Sequence, residues 1–421
     1  MGSDPLFNWM VLSAVLVLVA WGRFRIDIVA MAGLLLLGIL GAAPPGVIFS
    51  GFGHPALATI IAVFFLSQGI VDSGLTLGLG QDIARRARSQ RGQILAFAGV
   101  SALLSAIMNN VGAVGLLLPT ALRMAKRSGS NPGSFGFPLF IASVLGGTAT
   151  LIGSAPNIII ASYMYTYTGE SFRMFDFAPH GLAMLLAALL VWLLLNAFGR
   201  APALMSLKGE SKEHASPAEV LHFAPFSTRQ RRVTFAAILL AVVAVSTDIL
   251  HPALGFGGAV LLMYAFGIIE LPAGYRALDL KIIFFIGAML GLGRTLEETG
   301  ALGLLSGILE GYMEGLSPFT LILILVLVSS ALSNAINNAA AAVFMAPLAA
   351  GMATAGSLGT GAALMAVAAG SNMTFLLPTH QAALMVVSKA PFAMSDFVKA
   401  GLLLTLFCGL AAAAVIAAVW Q

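Results

Sequence analysis

Charged residues are scarce in this sequence: Asp, Glu, Lys and Arg together make up 9% of its 421 residues. In soluble domains, about 25% of the residues are of these four types. Hydrophobic residues make up 59% of the chain, and its mean hydropathy is +0.98. This composition excludes a water-soluble core and predicts a polytopic membrane protein that lies in a lipid bilayer.

Cysteine and the motifs of several catalytic classes are scarce or missing too. Cys408 is the only cysteine, so an intrachain disulfide cannot form. The sequence contains no phosphate-binding Walker loop, no H-E-x-x-H zinc motif and no G-x-S-x-G nucleophile elbow. We therefore expect neither an enzyme nor an ATP-driven pump, and neither an organic cofactor nor a nucleic-acid partner.

What the sequence has instead is a series of long apolar runs. A helix that crosses a membrane needs about 20 residues. We expect spans at 7–22, 26–43, 55–75, 137–162, 177–199, 232–249, 253–270, 280–296, 361–388 and 397–420. Two further apolar segments, 92–122 and 318–352, carry a pair of asparagines near their midpoints. The polar stretch 201–231 is typical of a linker between two halves, 1–200 and 232–421.

The two halves repeat each other. Four residues of the first half recur 228 positions later: Ser105 as Ser333, Asn109 as Asn337, Asn110 as Asn338 and Pro119 as Pro347. The segments Phe172–Gly181 and Phe392–Gly401 also match, and so do Val71–Gly74 and Glu297–Gly300. Three matches in the same order predict an internal repeat rather than chance similarity between apolar helices.

The basic residues predict how each segment enters the membrane. Segment 92–122 is flanked on both sides by Arg85, Arg86, Arg88, Arg91, Arg123, Lys126 and Arg127. Because cytoplasmic loops are rich in Lys and Arg, both ends face the cytoplasm and the segment is a re-entrant hairpin. Residues 295–388 contain no Lys or Arg, so segment 318–352 enters from outside, while the linker with Lys208 and Lys212 is cytoplasmic.

The predicted fold is therefore an all-α polytopic membrane protein built from two inverted repeats. Each repeat has five transmembrane helices and one re-entrant helical hairpin. Because the number of spans is odd, the second copy is inverted with respect to the first. Opposed hairpins of this kind are typical of secondary transporters.

A pair of asparagines at a hairpin tip suits a binding site. The N-termini of half-helices attract an anion, and unwound carbonyl groups hold a cation. The Asn side chain offers donors and an acceptor without a net charge, so Asn109, Asn110, Asn337 and Asn338 are candidate ligands. The alternative is that each Asn only caps a broken helix or joins neighbouring helices.

A second polar interruption follows each hairpin. Gly146–Asn157 and Gly370–Gln381 place Gly, Thr, Ser and Pro inside an apolar run, which is typical of an unwound helix with free carbonyl groups. The alternative is a kinked packing helix. The polar residues concerned are Thr148, Thr150, Gly153, Ser154 and Asn157 in the first interruption, and Asn372, Thr374, Pro378, Thr379 and Gln381 in the second.

Acidic residues also recur at matching positions. Asp72 and Glu298 lie near the ends of their spans, where they could relay protons, although an interfacial or helix-capping role explains them more simply. Asp176 and Asp396 precede the last span of each half, and Asp at a helix start is ordinary N-capping.

These motifs resemble a known family. The stretches MNNVGAVGLLLP, TLIGSAPN, SNAINNAAAAVFMAP and FLLPTHQ are similar to those of the divalent anion/sodium symporter family (SLC13-like) of the ion transporter superfamily. The resemblance covers nearly the whole chain apart from the linker. It implies a homodimer in which a scaffold domain holds a transport domain that moves as an elevator.

The resemblance also implies ligands. The first sodium site would use Ser105, Asn109, Asn110 and Gly153, and the second Ser333, Asn337, Asn338 and the stretch Leu377–Thr379, including Pro378. The anion, a di- or tricarboxylate or sulfate, would lie between the tips against Asn110, Asn338, Ser154 and Thr379, close to Asn109 and Asn337.

One departure from the family pattern concerns the anion. Carboxylate-transporting members have Ser-Asn-Thr at both tips, whereas Val111 and Ala339 follow the Asn pairs here. Each missing hydroxyl removes a hydrogen bond to a charged group, about 1.5–3 kcal/mol. This departure leaves room for a compact oxyanion such as sulfate.

We therefore predict a sodium-coupled symporter of sulfate or a dicarboxylate in the bacterial inner membrane. One alternative is a cation/proton antiporter or an oxyanion exporter of the same fold, which would need an essential carboxylate such as Asp72 or Glu298. Another is a passive channel, which would need a continuous polar pore.

Overall fold

The computed structural model describes residues 4–75, 89–197, 228–301, 315–354, 356, 358–389 and 393–421. These residues form eighteen α-helices and one short 3₁₀ turn, and none of them lies in a β-strand. The predicted all-α architecture is confirmed.

The helices of the first half are α1 (Pro5–Ala20), α2 (Ile26–Ile39), α3 (Pro45–Ile48), α4 (Pro55–Asp72), α5 (Gln90–Ser105), α6 (Asn110–Arg127), α7 (Gly133–Thr148), α8 (Ala155–Thr168) and α9 (Ala178–Ala197). Those of the second half are α10 (Thr228–Ser246), α11 (Pro252–Ala265), α12 (Leu271–Ala277), α13 (Leu280–Glu298), α14 (Pro318–Ala335), α15 (Asn338–Thr354), α16 (Thr360–Ser371), α17 (Gln381–Lys389) and α18 (Met394–Val419).

Both asparagine pairs lie at the tips of helical hairpins, as predicted. Hairpin 1 consists of α5 and α6, and hairpin 2 of α14 and α15. The first Asn of each pair stops the chain from continuing as one helix, because its side chain caps the next one. The Asn109 Oδ1 accepts a hydrogen bond from the Gly112 N–H at 2.7 Å, and the Asn337 Oδ1 accepts one from the Ala340 N–H at 2.8 Å.

The two polar interruptions are breaks within membrane helices. The apolar run expected at 137–162 is divided into α7 and α8, and the run at 361–388 into α16 and α17. The chain between the segments is not helical at 149–154 and 372–380. We call α7–α8 broken helix 1 and α16–α17 broken helix 2.

The repeats interlock through these broken helices. Within each repeat, the first arm of the hairpin packs on the first segment of the broken helix, α5 on α7 and α14 on α16. The second segments cross to the other repeat, because α8 packs on α15 and α17 packs on α6. Each hairpin tip is therefore surrounded by residues of both halves.

The helices pack into two groups. The hairpins, the broken helices, α9 and α18 form one group, the hairpin bundle. The helices α1, α2, α4, α10, α11, α12 and α13 pack with one another and form the outer bundle. The bundles meet where α4 packs on α8 and α13 packs on α15, and the Ser162 Oγ lies 2.9 Å from the His54 Nδ1.

The surface of the helices is apolar, as a bilayer requires. Four described helices are long and apolar enough to cross a membrane: Pro55–Asp72, Ala178–Leu195, Pro318–Ala335 and Met394–Val419. Leu186 on α9 and Leu402 on α18 are 65% and 60% exposed. Large exposed side chains of this kind face lipid rather than water.

Some of the predictions concern residues outside the described ranges. Arg85, Arg86, Arg88, Lys208 and Lys212 are among them, and so is most of the linker 201–231. The boundaries 1–200 and 232–421 stay predictions.

Candidate functional site

The tip of hairpin 1 gathers oxygen atoms. The Ser105 Oγ donates a hydrogen bond to the Asn110 Oδ1 at 2.6 Å. The Ser143 Oγ of α7 lies 3.2 Å from the Ser105 Oγ and 3.1 Å from the Asn110 carbonyl oxygen. All three side chains are buried. The hairpin tip and broken helix 1 therefore share one polar cluster.

Two glycines bring further oxygens to the same place. A Cβ atom at Gly147 would lie 2.8 Å from the Gly153 carbonyl oxygen and 3.2 Å from the Ser105 Oγ, and would clash with the Asn110 Oδ1. A Cβ atom at Gly153 would lie 2.7 Å from the Ser105 carbonyl oxygen. The space beside Gly147 is lined by oxygens and is too small for a methyl group. We call it the oxygen cluster.

The carbonyl groups of the oxygen cluster have no donor within the described residues. No N–H or O–H group there donates to the carbonyl oxygen of Ser105, Gly147 or Gly153. Buried carbonyls are normally paired, so these three are available to a ligand. Unwound carbonyls at a hairpin tip are the groups that hold sodium in transporters of this architecture. The residues present therefore fit a sodium ion.

An N-terminus lies next to the oxygen cluster. Ser154 follows Gly153 and is the N-cap residue of α8, which has 14 residues, but its side chain makes no capping hydrogen bond. Its Oγ is buried and has no partner within the described residues. A hydroxyl and free N–H groups at the start of a helix suit an anion.

The two broken helices are joined by a pair of buried amides. The Asn157 Nδ2 donates to the carbonyl oxygens of Thr148 and Thr150 at 2.9 and 2.8 Å. The Asn372 Nδ2 donates to the Asn157 Oδ1 at 2.9 Å. Both side chains are fully buried, so this bond fixes one break against the other.

The tip of hairpin 2 is built differently. The Ser333 Oγ donates to the Ser371 carbonyl oxygen at 2.6 Å, whereas its counterpart Ser105 donates to an asparagine. The Asn338 Oδ1 accepts from the neighbouring Ala339 N–H at 3.1 Å. The exposed Thr379 donates its hydroxyl to the Asn334 carbonyl oxygen at 3.2 Å.

Asn334 is a central residue that the sequence analysis missed. Its Nδ2 donates to the carbonyl oxygens of Ser330 and Met373, both at 2.8 Å. Its Oδ1 accepts from the N–H groups of Leu376 and Leu377 at 2.9 and 3.1 Å. A polar residue three positions before Asn337 in an apolar helix was the signal, and the repeat has Ala106 at that position.

The structure thus unites some of the predicted ligands and separates others. Ser105, Asn110 and Gly153 meet in the oxygen cluster, with Ser154 beside it. Asn109 and Asn337 use their side-chain oxygens as helix caps, so their roles as sodium or anion ligands stay predictions, as do those of Asn338, Pro378 and Thr379. Ser333 bonds to broken helix 2 rather than to Asn338.

Within the described residues, no hydrogen bond joins Asp72, Glu298 or Asp176 to a hairpin tip. Asp72 and Glu298 are the last residues of α4 and α13, which confirms that they occupy matching positions. The Asp72 Oδ1 accepts from the Gln68 Nε2 at 2.7 Å. Asp176 accepts a hydrogen bond at 2.8 Å from the N–H of Arg173, which precedes it in the chain, so this bond does not cap α9. Asp396 lies in the first turn of α18, whose N-cap residue is Ala393, so the expected N-capping by Asp396 is wrong.

Several curated transporters are similar to parts of this chain. A probable sodium/sulfate cotransporter of Chlamydomonas reinhardtii is 30% identical over 156 residues, 35% of this chain and 17% of that protein. An uncharacterized transporter of Escherichia coli (strain K12) is 28% identical over 197 residues, 47% of this chain and 32% of that protein. The chain therefore spans less than a third of the length of each of these two curated relatives in the matched region. An uncharacterized transporter of Mycobacterium tuberculosis is 26% identical over 301 residues, 69% of this chain and 67% of that protein.

A solved structure has the same fold. The YdaH transporter of Alcanivorax borkumensis aligns with a TM-score of 0.63 at 13% identity, over 89% of this chain and 87% of that one. The profile of the citrate transporter family, CitMHS, matches residues 16–370. The chain therefore belongs to the citrate transporter family, and its resemblance to the divalent anion/sodium symporters is confirmed.

Proposed function

We propose that this transporter carries a small divalent anion into the cell together with sodium. The oxygen cluster at the tip of hairpin 1 is the observation that carries this proposal. It combines the Asn110 amide oxygen and the Ser105 hydroxyl with three carbonyl oxygens that no described residue satisfies. A hard cation prefers such oxygens.

The anion lies beside the sodium. Asn110 turns its amide oxygen to the oxygen cluster, which leaves its Nδ2 group to donate to an anion. Ser154 adds an unpartnered hydroxyl at the start of α8, where the helix dipole favours negative charge. Bound sodium offsets part of the anion's charge. Each ligand therefore improves the site for the other, which is the physical basis of coupling.

The anion is a compact one. Val111 and Ala339 stand where a threonine hydroxyl would otherwise meet a second carboxylate, so a long dicarboxylate gains little at these positions. Sulfate presents its oxygens within one tetrahedron and needs fewer widely spaced donors. The names of relatives include sodium/sulfate cotransporters, which supports sulfate over a dicarboxylate.

Transport proceeds by an elevator motion of the hairpin bundle. This bundle contains both tips, both breaks and all of the proposed ligands. The outer bundle touches the tip of hairpin 1 through Ser67. The Asn109 N–H donates to the Ser67 Oγ of α4 at 3.3 Å. We propose that the outer bundle forms the scaffold of a homodimer and that the hairpin bundle slides past it.

The first experiment is uptake of labelled sulfate, succinate and citrate into proteoliposomes, with and without an inward sodium gradient. We expect sodium-stimulated uptake of sulfate, and loss of uptake in the Asn110→Ala protein. If no anion moves but an inward proton gradient drives sodium out of the vesicles, the chain is an antiporter and the proposal is wrong. Counterflow of unlabelled anion distinguishes a carrier from a channel.

The elevator is tested separately. In a Cys408→Ala background, His54→Cys and Ser162→Cys place thiols on the two bundles at a point of contact. Mercury bridging of these thiols is expected to stop uptake, and reducing agent to restore it. Each single-cysteine protein serves as the matched control. Full transport in the bridged protein would rule out sliding at this contact.

A further inference from the structure

The amide of Asn157 is oriented by the carbonyl groups around it. Its Nδ2 donates to the carbonyl oxygens of Thr148 and Thr150 at 2.9 and 2.8 Å. The opposite orientation would turn the Asn157 Oδ1 toward these two oxygens, which can only accept hydrogen bonds. The Oδ1 therefore points away from broken helix 1. Because the side chain is fully buried, this oxygen needs a donor from another part of the protein.

Broken helix 2 supplies that donor. The Asn372 Nδ2 donates to the Asn157 Oδ1 and to the Ala368 carbonyl oxygen, both at 2.9 Å. The Asn372 Oδ1 is buried and has no partner in the described part of the chain, which is unfavourable. A leucine of similar size would avoid this cost, so what the amide contributes at this position is its two donor hydrogens.

Thr150 extends the connection to hairpin 1. Its hydroxyl donates to the Ala106 carbonyl oxygen and accepts a hydrogen bond from the Gly153 N–H at 3.2 Å. Its carbonyl oxygen is one of the two that Asn157 holds. A continuous series of hydrogen bonds thus runs from Asn372 in the second half through Asn157 to Thr150. We call these three residues the interbreak network.

The interbreak network fixes the backbone around the oxygen cluster. The three carbonyl oxygens of the cluster belong to Ser105, Gly147 and Gly153. Ser105 and Gly147 directly precede the residues whose carbonyl oxygens accept from Thr150 and Asn157, and Gly153 itself donates to Thr150. Only two backbone dihedral angles separate one planar peptide group from the next. Fixing these neighbours therefore restricts how the three cluster carbonyls can turn.

We infer that Asn372, a residue of the second half, positions the sodium-binding oxygens of the first half through Asn157 and Thr150. This inference rests on the proposed function, because it concerns how the sodium site at hairpin 1 is held. All three are positioning residues that do not touch the ion. The first sodium site is consequently complete only while the two broken helices lie against each other.

The matching positions of the repeat do not form a second network of this kind. When Gly146–Asn157 is aligned with Gly370–Gln381, Gln381 matches Asn157 and Thr148 matches Asn372. Gln381 is exposed, and the Thr148 hydroxyl donates to the Val144 carbonyl oxygen of its own helix at 2.9 Å. Through this pair of positions, the second half supports the first sodium site without the reverse support.

The test is a double-mutant cycle that is measured in the sodium dependence of uptake. Asn372→Leu removes both donors at nearly constant volume and leaves the Asn157 Oδ1 unpaired. We expect the sodium concentration for half-maximal uptake to rise by about tenfold, with an unchanged KM for the anion at saturating sodium. A residue that only supported the fold would lower the maximal rate instead. An unchanged sodium curve would overturn the inference.

The cycle also tests the route. We expect Asn157→Leu to raise the sodium requirement at least as much, and the double variant to need no more sodium than Asn157→Leu alone. Independent shifts that multiply in the double variant would overturn the inference. Asn8→Leu is the matched control, because Asn8 is a fully buried asparagine of the outer bundle without a partner within the described residues. An equal shift in this control would also overturn the inference.

A second pair of variants covers the case in which the leucine proteins do not fold. Thr150→Val removes the hydroxyl that joins Ala106 and Gly153, whereas Thr150→Ser keeps it. We expect Thr150→Val to raise the sodium requirement by about tenfold, and Thr150→Ser to stay close to wild type. Wild-type sodium dependence in a folded Thr150→Val protein would overturn the inference.

Sodium binding is also measured without transport, as the rise in melting temperature of the purified protein in sodium chloride over choline chloride. If no anion is taken up with sodium, the proposed function fails, whereas a sodium-induced rise that is smaller in Asn372→Leu than in wild type still supports the inference. If uptake is coupled to sodium and both proteins respond equally to sodium, only the inference is overturned.

Discussion

The two hairpin tips have the same motif and use it differently. In each, the first Asn caps the second arm, and the second Asn begins that arm. At hairpin 1, the Asn110 side chain turns to Ser105 and to the oxygens around Gly147. At hairpin 2, Asn338 bonds only to its neighbour Ala339, and Asn334 joins the hairpin to broken helix 2.

The difference shows what an internal repeat preserves. The repeat preserves the elements of the scaffold: the caps, the breaks and the prolines within the second arms. It does not preserve every contact of the tips, because the Asn334 amide donates to the Met373 carbonyl oxygen of broken helix 2, whereas Ala106 stands at the matching position of hairpin 1.

The largest effect is expected for a methyl group at Gly147. The Gly147→Ala protein places a Cβ atom among the oxygens of the cluster, within 3.2 Å of three of them. One is the backbone oxygen of Gly153, and the other two belong to the buried side chains of Asn110 and Ser105, so the methyl group displaces the proposed ligands. We expect no measurable sodium-dependent uptake. Gly99→Ala is the control, because no atom lies within 4 Å of a Cβ at Gly99.

Folding has to be separated from function in this comparison. Both glycine variants are measured for monodispersity and melting temperature in detergent. Wild-type sodium dependence in a well-folded Gly147→Ala protein would show that the oxygen cluster is not the cation site.

The next largest effect is expected for the second asparagine of each pair, and it distinguishes the two hairpin tips. Asn110→Ala removes the Asn110 amide oxygen from the cluster, whereas Asn338→Ala removes an oxygen that bonds only to the adjacent backbone. We expect Asn110→Ala to lower uptake by about 100-fold at limiting sodium, the upper range for a lost hydrogen bond to a charged group. We expect Asn338→Ala to lower it by about tenfold, through the anion.

The measurement is the initial rate of uptake over a range of sodium concentrations. Asn110→Ala is expected to shift the sodium curve, and Asn338→Ala the anion curve. Equal shifts of the sodium curve in both proteins would show that the two hairpin tips contribute equally to sodium binding.

Much of this architecture could be predicted from the sequence. Hydrophobic length, the Asn pairs and the repeat predicted both hairpins to within a few residues. Gly146–Asn157 and Gly370–Gln381 contain both breaks. Local chemistry explains this success, because Asn caps helices and Gly, Ser and Pro interrupt them whatever surrounds them.

The site was less predictable because its contacts join distant residues. Nothing in the local sequence shows that the Asn334 amide meets Met373, which lies 39 positions later. The bond between Asn157 and Asn372, 215 positions apart, depends on the way the broken helices cross. Gly147 was read as part of a break, and only the packing shows which oxygens surround it.

A smaller effect is expected at the start of α8. Ser154→Ala removes the unpartnered hydroxyl beside the oxygen cluster without changing the helix. We expect the KM for the anion to rise by about tenfold, the cost of one hydrogen bond to a charged group, with little change in the sodium curve. Ser143→Ala is the comparison. Because Ser143 lies on the sodium side of Asn110, we expect this substitution to raise the sodium concentration for half-maximal uptake more than the KM for the anion. A rise in the sodium requirement of Ser154→Ala alone would move Ser154 to the cation site.

The smallest effect concerns which anion is chosen. Val111 is half-buried in the first turn of α6, so Val111→Thr exchanges one methyl for a hydroxyl at nearly constant volume. We expect succinate uptake to rise by about threefold relative to sulfate, less than a full hydrogen bond provides, because the site was not shaped around it. Ala339 is 3% exposed, so Ala339→Thr adds two heavy atoms to a packed position and is expected to lower stability by about 1–3 kcal/mol. Competition between labelled sulfate and succinate measures the first change, and thermal unfolding the second. If both substitutions improve succinate uptake equally, the two tips are equivalent toward the anion, and their difference is confined to the cation.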